Sequence, residues 1–195
     1  AQREGRAKDG IDKTDPALLK MLAMGRRELS LGDSLSELHL VPVAISYEFD
    51  ACDILKAEEL HAIEKDGSFT KNEQTDIHSI VTGMIGFKGH VHVGFGSELG
   101  INSDEPELIA ELIDEQILRN YRLSDANYIA AEMLLEKGEL LDPALDAVIK
   151  EKIISQEARA VFLERTSKTQ SALIKHLLFG YANPLINKLK SDLEL

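Results

Sequence analysis

Apolar residues recur along the chain in two periods, a helical one and a strand-like one, and the switch between them divides it. Asp15-Pro16 is a helix start, with Asp15 as N-cap and Pro16 at the first helical position, where its missing N–H costs nothing. Leu18, Leu19, Met21 and Leu22 follow at helical spacing, and this helix is expected to end near Leu29, before Gly32-Asp33. Leu38 to Tyr47 (LHLVPVAISY) is β-rich and apolar on both faces, the pattern of a strand buried inside a sheet. Pro42 within it cannot donate to a ladder, which predicts a bulge or a strand end there. A short helix is expected over Lys56 to Lys65, closed by a turn at Gly67.

Ile77, Ile80, Val81, Met84 and Ile85 form a helical stripe within Asn72 to Ile85. His90 to Gly96 (HVHVGFG) alternates, with Val91, Val93 and Phe95 on one face, and reads as a second strand. Strands separated by helices predict an α/β sheet layer over residues 1–102. From Ser103 the β signal vanishes. Helices are expected over Pro106 to Asn120, Ala126 to Lys137, Pro143 to Arg165 and a last stretch to Leu189 that Pro184 should break or kink. Residues 103–195 thus read as an all-helical region following the α/β part.

Composition sharpens this picture in a few places. Of 195 residues, 44% are hydrophobic and 29% charged, the balance of a packed globular chain. The apolar runs are too short to cross a bilayer, so any membrane contact is expected to be peripheral or to lie outside this chain. The single cysteine, Cys52, cannot form an internal disulfide, which fits a reducing, cytoplasmic setting. A net charge of −12 argues against nucleic acid as a partner and against broad adhesion to anionic lipid. Residues 1–27 depart from that balance, with seven basic side chains against four acidic ones, where the remainder has fifteen against thirty. A small basic island on an acidic body suits a small anion, although chance clustering on a solvated face gives the same numbers.

The segment Arg3-Glu4-Gly5-Arg6-Ala7-Lys8-Asp9-Gly10 lies in that island. Its glycines let backbone N–H groups turn toward a ligand, and arginine can fork onto phosphate oxygens. Together with LVPVAISYE and the later KGHVHVGFG, this loop resembles the glycerol-3-phosphate and lysophosphatidate acyltransferase superfamily. In that superfamily a Glu-Gly loop carrying arginine precedes a hydrophobic strand with an Ile/Val-Pro-Val/Ile step. The fuller strings AQREGRAKDG and LVPVAISYEFD are most similar to a bacterial glycerol acyltransferase branch. The resemblance covers about residues 1–100.

The resemblance implies an acyl transfer from a coenzyme A or acyl-carrier-protein thioester, with no further cofactor, to a glycerophospholipid acceptor at the cytoplasmic face of the membrane. Glu4 and Gly5 fall on the loop's Glu-Gly and would position that acceptor. The superfamily's arginine lies two or three places after the glutamate; Arg6 takes the earlier place, Ala7 the later, and Lys8 stands where serine is usual, leaving Arg6 and Lys8 as alternative phosphate ligands. Pro42 falls on the proline of the strand block and would help shape the acyl or acceptor channel. The superfamily's His-x4-Asp box, with histidine as general base on the acceptor hydroxyl, is expected upstream of residue 1. The other reading of the residues is a non-catalytic module that binds an anionic ligand or a partner protein.

Other candidates have blander accounts. His61 and Asp66 match the His-x4-Asp spacing but follow the strand block, and five residues apart on a helix they point to different sides, so they read as surface. His90 and His92 alternate on a strand, and with His39 or His78 could hold a metal, or else lie on a solvated face. Leu177, Leu178, Phe179 and Tyr181 read as core packing of a terminal helix before membrane insertion, because the segment lacks a cationic face. Cys52 reads as a small buried or surface residue.

Overall fold

A computed structural model of the chain describes residues 8–26, 28–70 and 72–193. The protein is mostly helical, 60%, with one small two-stranded antiparallel sheet. In chain order the elements are α1 (Pro16–Ala23), α2 (Leu31–Ser36), β1 (Val43–Tyr47), α3 (Asp53–Asp66), α4 (Glu73–Ile85), β2 (Val91–Phe95), α5 (Pro106–Asn120), α6 (Asp125–Glu136), α7 (Pro143–Glu151), α8 (Gln156–Ser167) and α9 (Ser171–Leu193). They form two compact units. One comprises Asp12–Ser46 and His92–Arg122; the other comprises Lys8–Ile11, Tyr47–Val91 and the chain from Leu123 onward.

The first unit is built on Leu19, Leu35, Ile109 and Ala110, contributed by α1, α2 and α5. Asp15 caps α1 through a bond from the Ala17 N–H at 2.9 Å, as the Asp-Pro step predicts. The helix stops at Ala23 rather than Leu29, and Gly32-Asp33 lies inside a helix instead of a turn. The Ser30 side chain caps that second helix by accepting from the Asp33 N–H. Gly32 serves there as a close-approach residue, since a Cβ would stand 2.6 Å from the Ser103 carbonyl oxygen. Its N–H donates to Asp104 Oδ1 at 2.7 Å. That bond, helped by the Ser30 hydroxyl, holds the Asp104 carboxyl below its ordinary value.

The sheet pairs Pro42 with Gly96 at one end, where the Gly96 N–H donates to the Pro42 carbonyl at 2.8 Å, and Glu48 with His90 at the other, at 2.9 Å. Pro42 therefore marks a strand end, and its carbonyl takes part in pairing while its absent N–H costs no ladder bond. The expectation of a strand buried on both faces is corrected. Ala44 and Ser46 are buried, but Val43 and Ile45 on the other face are 38% and 50% exposed. Helix α5 covers only the inner face: the Ser97 N–H donates to Gln116 Oε1, and the Arg122 N–H to Ser46 Oγ.

The second unit has a larger core that includes Ile129, Leu134, Leu145, Phe162, Leu178 and Leu185. Helix α9 runs unbroken through Pro184, where the sequence predicts a break or kink. Leu177, Leu178 and Tyr181 are buried in that core, which is the packing role expected of them. The helix expected over Pro143 to Arg165 is two, because Ser155 caps a new one by accepting the Ala158 N–H. On α4 the helical stripe is present but uncovered. Ile77, Ile80, Met84 and Ile85 are 54–81% exposed, and nothing among the described residues packs over them as the periodicity predicts.

Candidate functional site

The loop expected to hold an acceptor enters the described structure at Lys8; Glu4, Gly5 and Arg6 lie outside the described residues. Residues Lys8 to Ile11 belong to the second unit and are clasped by α3 and α9. Lys8 Nζ sits 2.5 Å from Glu59 Oε1, with side chains only 27% and 12% exposed. A charge-assisted bond this sheltered fixes the direction of the loop's exit. The Asn183 side-chain amide donates to the Asp9 carbonyl at 2.7 Å. Asp9 in turn accepts the Ile11 N–H at 3.0 Å through its own carboxylate.

Gly10 is the tightest point. Its φ is +78°, and a Cβ there would stand 2.3 Å from the Gly180 carbonyl oxygen and 3.1 Å from Pro184 Cδ. Pro184 has no N–H to offer the carbonyl four residues before it, so the helix carries a defect at Gly180, and the loop's glycine is seated against it.

Pro42 belongs to the first unit, where it is buried at the start of β1. Lys8 and Pro42 thus sit in different units.

The histidines divide into three situations. His90 Nδ1 lies 2.7 Å from Glu48 Oε2 and its ring is almost wholly exposed, while His39 Nδ1 lies 2.6 Å from Glu98 Oε1. Neither joins His92 in a group of metal-ligating side chains. His61, expected at the surface, is half-buried with its ring edge-on to His176 of α9 at 5.8 Å, whereas Asp66 is exposed. Cys52 is buried, and its thiol donates to the Ser79 carbonyl, so it packs α4 rather than facing a substrate.

A polar knot missed by the sequence reading ties α3, α8 and α9 together. Arg165 Nε and Nη2 donate to the two oxygens of Asp53 at 2.6 and 2.9 Å, and Nη2 also reaches the Asp50 carbonyl at 2.9 Å. The Tyr181 hydroxyl donates to Asp53 Oδ2 at 2.7 Å and accepts the Asp50 N–H at 3.0 Å. Burial, reinforced by the Asp53 charge, pushes the Tyr181 phenol far above its ordinary value. Burial works hardest against the Arg165 charge, but the bonds it donates to Asp53, together with the charges of Tyr181 and Asp53, outweigh burial and hold the guanidinium more firmly protonated. No buried side-chain polar atom of the knot lacks a partner, which is the arrangement of a structural lock rather than of a reacting centre.

No protein-family model matches the chain, and neither does any curated protein or solved structure compared with it.

Proposed function

We propose that this chain carries the acceptor side of a glycerolipid O-acyltransferase working in phospholipid synthesis. The observation that carries the reading is the order and pairing of three segments. A Glu-Gly-Arg loop is followed by a strand led by Pro42, and that strand pairs with the one from KGHVHVGFG. The acyl donor is a coenzyme A or acyl-carrier-protein thioester. The acceptor is a hydroxyl of glycerol 3-phosphate or lysophosphatidate. Its oxygen bonds to the thioester carbonyl carbon, the carbon–sulfur bond breaks, and the hydroxyl proton passes through a base to the departing thiolate.

Within this reading the two basic candidates take different tasks. Lys8 is already paired with Glu59 and anchors the loop, so Arg6 is the residue assigned to the acceptor phosphate, with Glu4 and Gly5 beside it. Pro42, buried just before β1, leads into the exposed apolar face of Val43, Ile45, Val93 and Phe95, which supplies a surface for an acyl tail. The protein works as a peripheral one at the cytoplasmic face of the membrane; among the described residues no helix is long and apolar enough to cross it.

The test is acyl transfer by the full-length protein. Losing a charge-assisted phosphate contact in Arg6→Ala should raise KM for the acceptor about ten- to a hundredfold. Glu4→Ala should lower kcat/KM as well. Unchanged kinetics in both variants would sink the assignment of the loop.

A second reading, a non-catalytic module that binds a partner protein, is favoured by the uncovered apolar stripe of α4. It requires phosphate binding or partner binding without any turnover by the full-length protein.

A further inference from the structure

His61 and Glu64 stand three residues apart on α3, one helical turn, and so share a side of the helix. Across from them, His176 on α9 places Nε2 3.0 Å from Glu64 Oε2. One ligand atom from each of these residues lies within 4.8 Å of the other two, and no other group of this kind occurs among the described residues. All three belong to the second unit, and both supporting helices are pinned to its core beside the cluster. Ala57 lies one turn before His61, and Leu173 and Leu177 flank His176; these three are 1%, 5% and 2% exposed.

Two imidazoles and one carboxylate form a donor set suited to a borderline divalent ion, and three protein ligands leave a position for water. In tetrahedral zinc coordination the ligand atoms stand about 3.3 Å apart. The Glu64–His176 pair stands near that spacing at 3.0 Å, and all three ligand atoms lie within 4.8 Å of one another. Lys175, whose charge also feels Glu64, is hydrogen-bonded to Glu139 at 2.8 Å and leaves the Glu64 oxygens to the two imidazoles. His176 is 16% exposed and Glu64 63%, so the cluster opens to solvent on the side from which an ion and its water would enter.

We propose that His61, Glu64 and His176 form a divalent transition-metal site, with zinc as its ion, that ties α3 to α9. This goes beyond the acyl-transfer reading and stands or falls without it.

The experiment adds zinc to the chelator-stripped chain and follows binding by calorimetry and by the thermal midpoint. One ion should bind saturably and raise the midpoint. Cobalt in its place should give visible d–d absorption. His61→Gln, Glu64→Gln and His176→Gln should each weaken zinc binding at least about tenfold, while His90→Gln leaves it unchanged. Absence of saturable binding, or binding that survives His176→Gln, overturns the proposal. Should a variant fail to fold, the unaltered chain decides by itself. Cobalt must broaden the imidazole resonances of His61 and His176 and spare those of His39, His78, His90 and His92; any other pattern overturns it. An ion pair between His176 and Glu64 with no metal role would give that other pattern.

Discussion

Arg165 grips Asp53 with two parallel bonds, although the residues are 112 positions apart in the chain. The Asp53 side chain is only 5% exposed, so the carboxylate has little water to fall back on. Arg165→Ala should therefore destabilise the protein by about 3–5 kcal/mol, the cost of stranding a buried charge. Urea unfolding checks this, as a lower midpoint at unchanged slope. Arg165→Lys should recover only part of the loss, because an ammonium cannot make the forked contact.

Tyr181 gives the same knot a pH signature. Its phenol ionises at a higher pH in the folded protein than in the unfolded chain. The stability it contributes is therefore whole below the unfolded value of about 10 and is lost as pH rises from there toward the folded value. Thermal midpoints measured across that alkaline window should fall, and Tyr181→Phe should flatten the fall. A variant curve parallel to the parent's would show that the phenol is not responsible.

Gly10 and Gly180 face each other, yet they should respond oppositely to the same substitution. Gly10→Ala forces a left-handed residue with a Cβ into the Gly180 carbonyl and should cost at least about 1–2 kcal/mol. A Cβ on Gly180 meets only the Lys8 carbonyl at 3.7 Å, an ordinary contact. Gly180→Ala should then be neutral or stabilising by up to about 1 kcal/mol through helix propensity. Thermal melts of the two variants decide the matter.

Lys8 and Glu59 should act as one anchor. On the proposed acyl-transfer reading, Lys8→Ala and Glu59→Gln should each raise KM for the acceptor with kcat nearly unchanged, and the double variant should be little worse than either alone. Additive losses would mean that Lys8 meets the phosphate itself.

The stripe on α4 predicts an unusual tolerance. Ile80→Lys and Met84→Lys, at residues 54% and 76% exposed, should change stability by no more than about 0.5 kcal/mol. Both should reduce binding of a fluorescent apolar dye. A large loss of stability would show that the stripe is covered.

What could be read in the sequence was whatever the chain decides over a few residues. Asp15 and Asp142 cap their helices by bonding to backbone two or three positions on, so Asp-Pro at each place announces the start. Periodicity on α4 says which side chains share a face but not whether anything covers that face, and here nothing described does. Pro184 obeys the local rule only in part. Its neighbours Leu185 and Ile186 are buried deeply enough to carry the helix past the lost bond. The loop residues Glu4, Gly5 and Arg6 lie outside the described residues, whereas the Lys8–Glu59 pair and the meeting of His61 with His176 depend on distant segments of chain. No local pattern encodes them.

The reach from Asp53 to Tyr181 also sets a timetable for synthesis. Those residues are 128 positions apart, a delay of roughly 6 to 25 seconds at ribosomal rates. The Asp9 carbonyl waits longer still, for the amide of Asn183. Until α9 emerges, Asp53 lacks the Tyr181 hydroxyl and the loop at Lys8 to Ile11 lacks the part of its seat that α9 supplies. During translation the apolar stripe of α4 is therefore carried on a unit that cannot yet close, and the window in which the nascent chain is open to self-association is set by the arrival of α9.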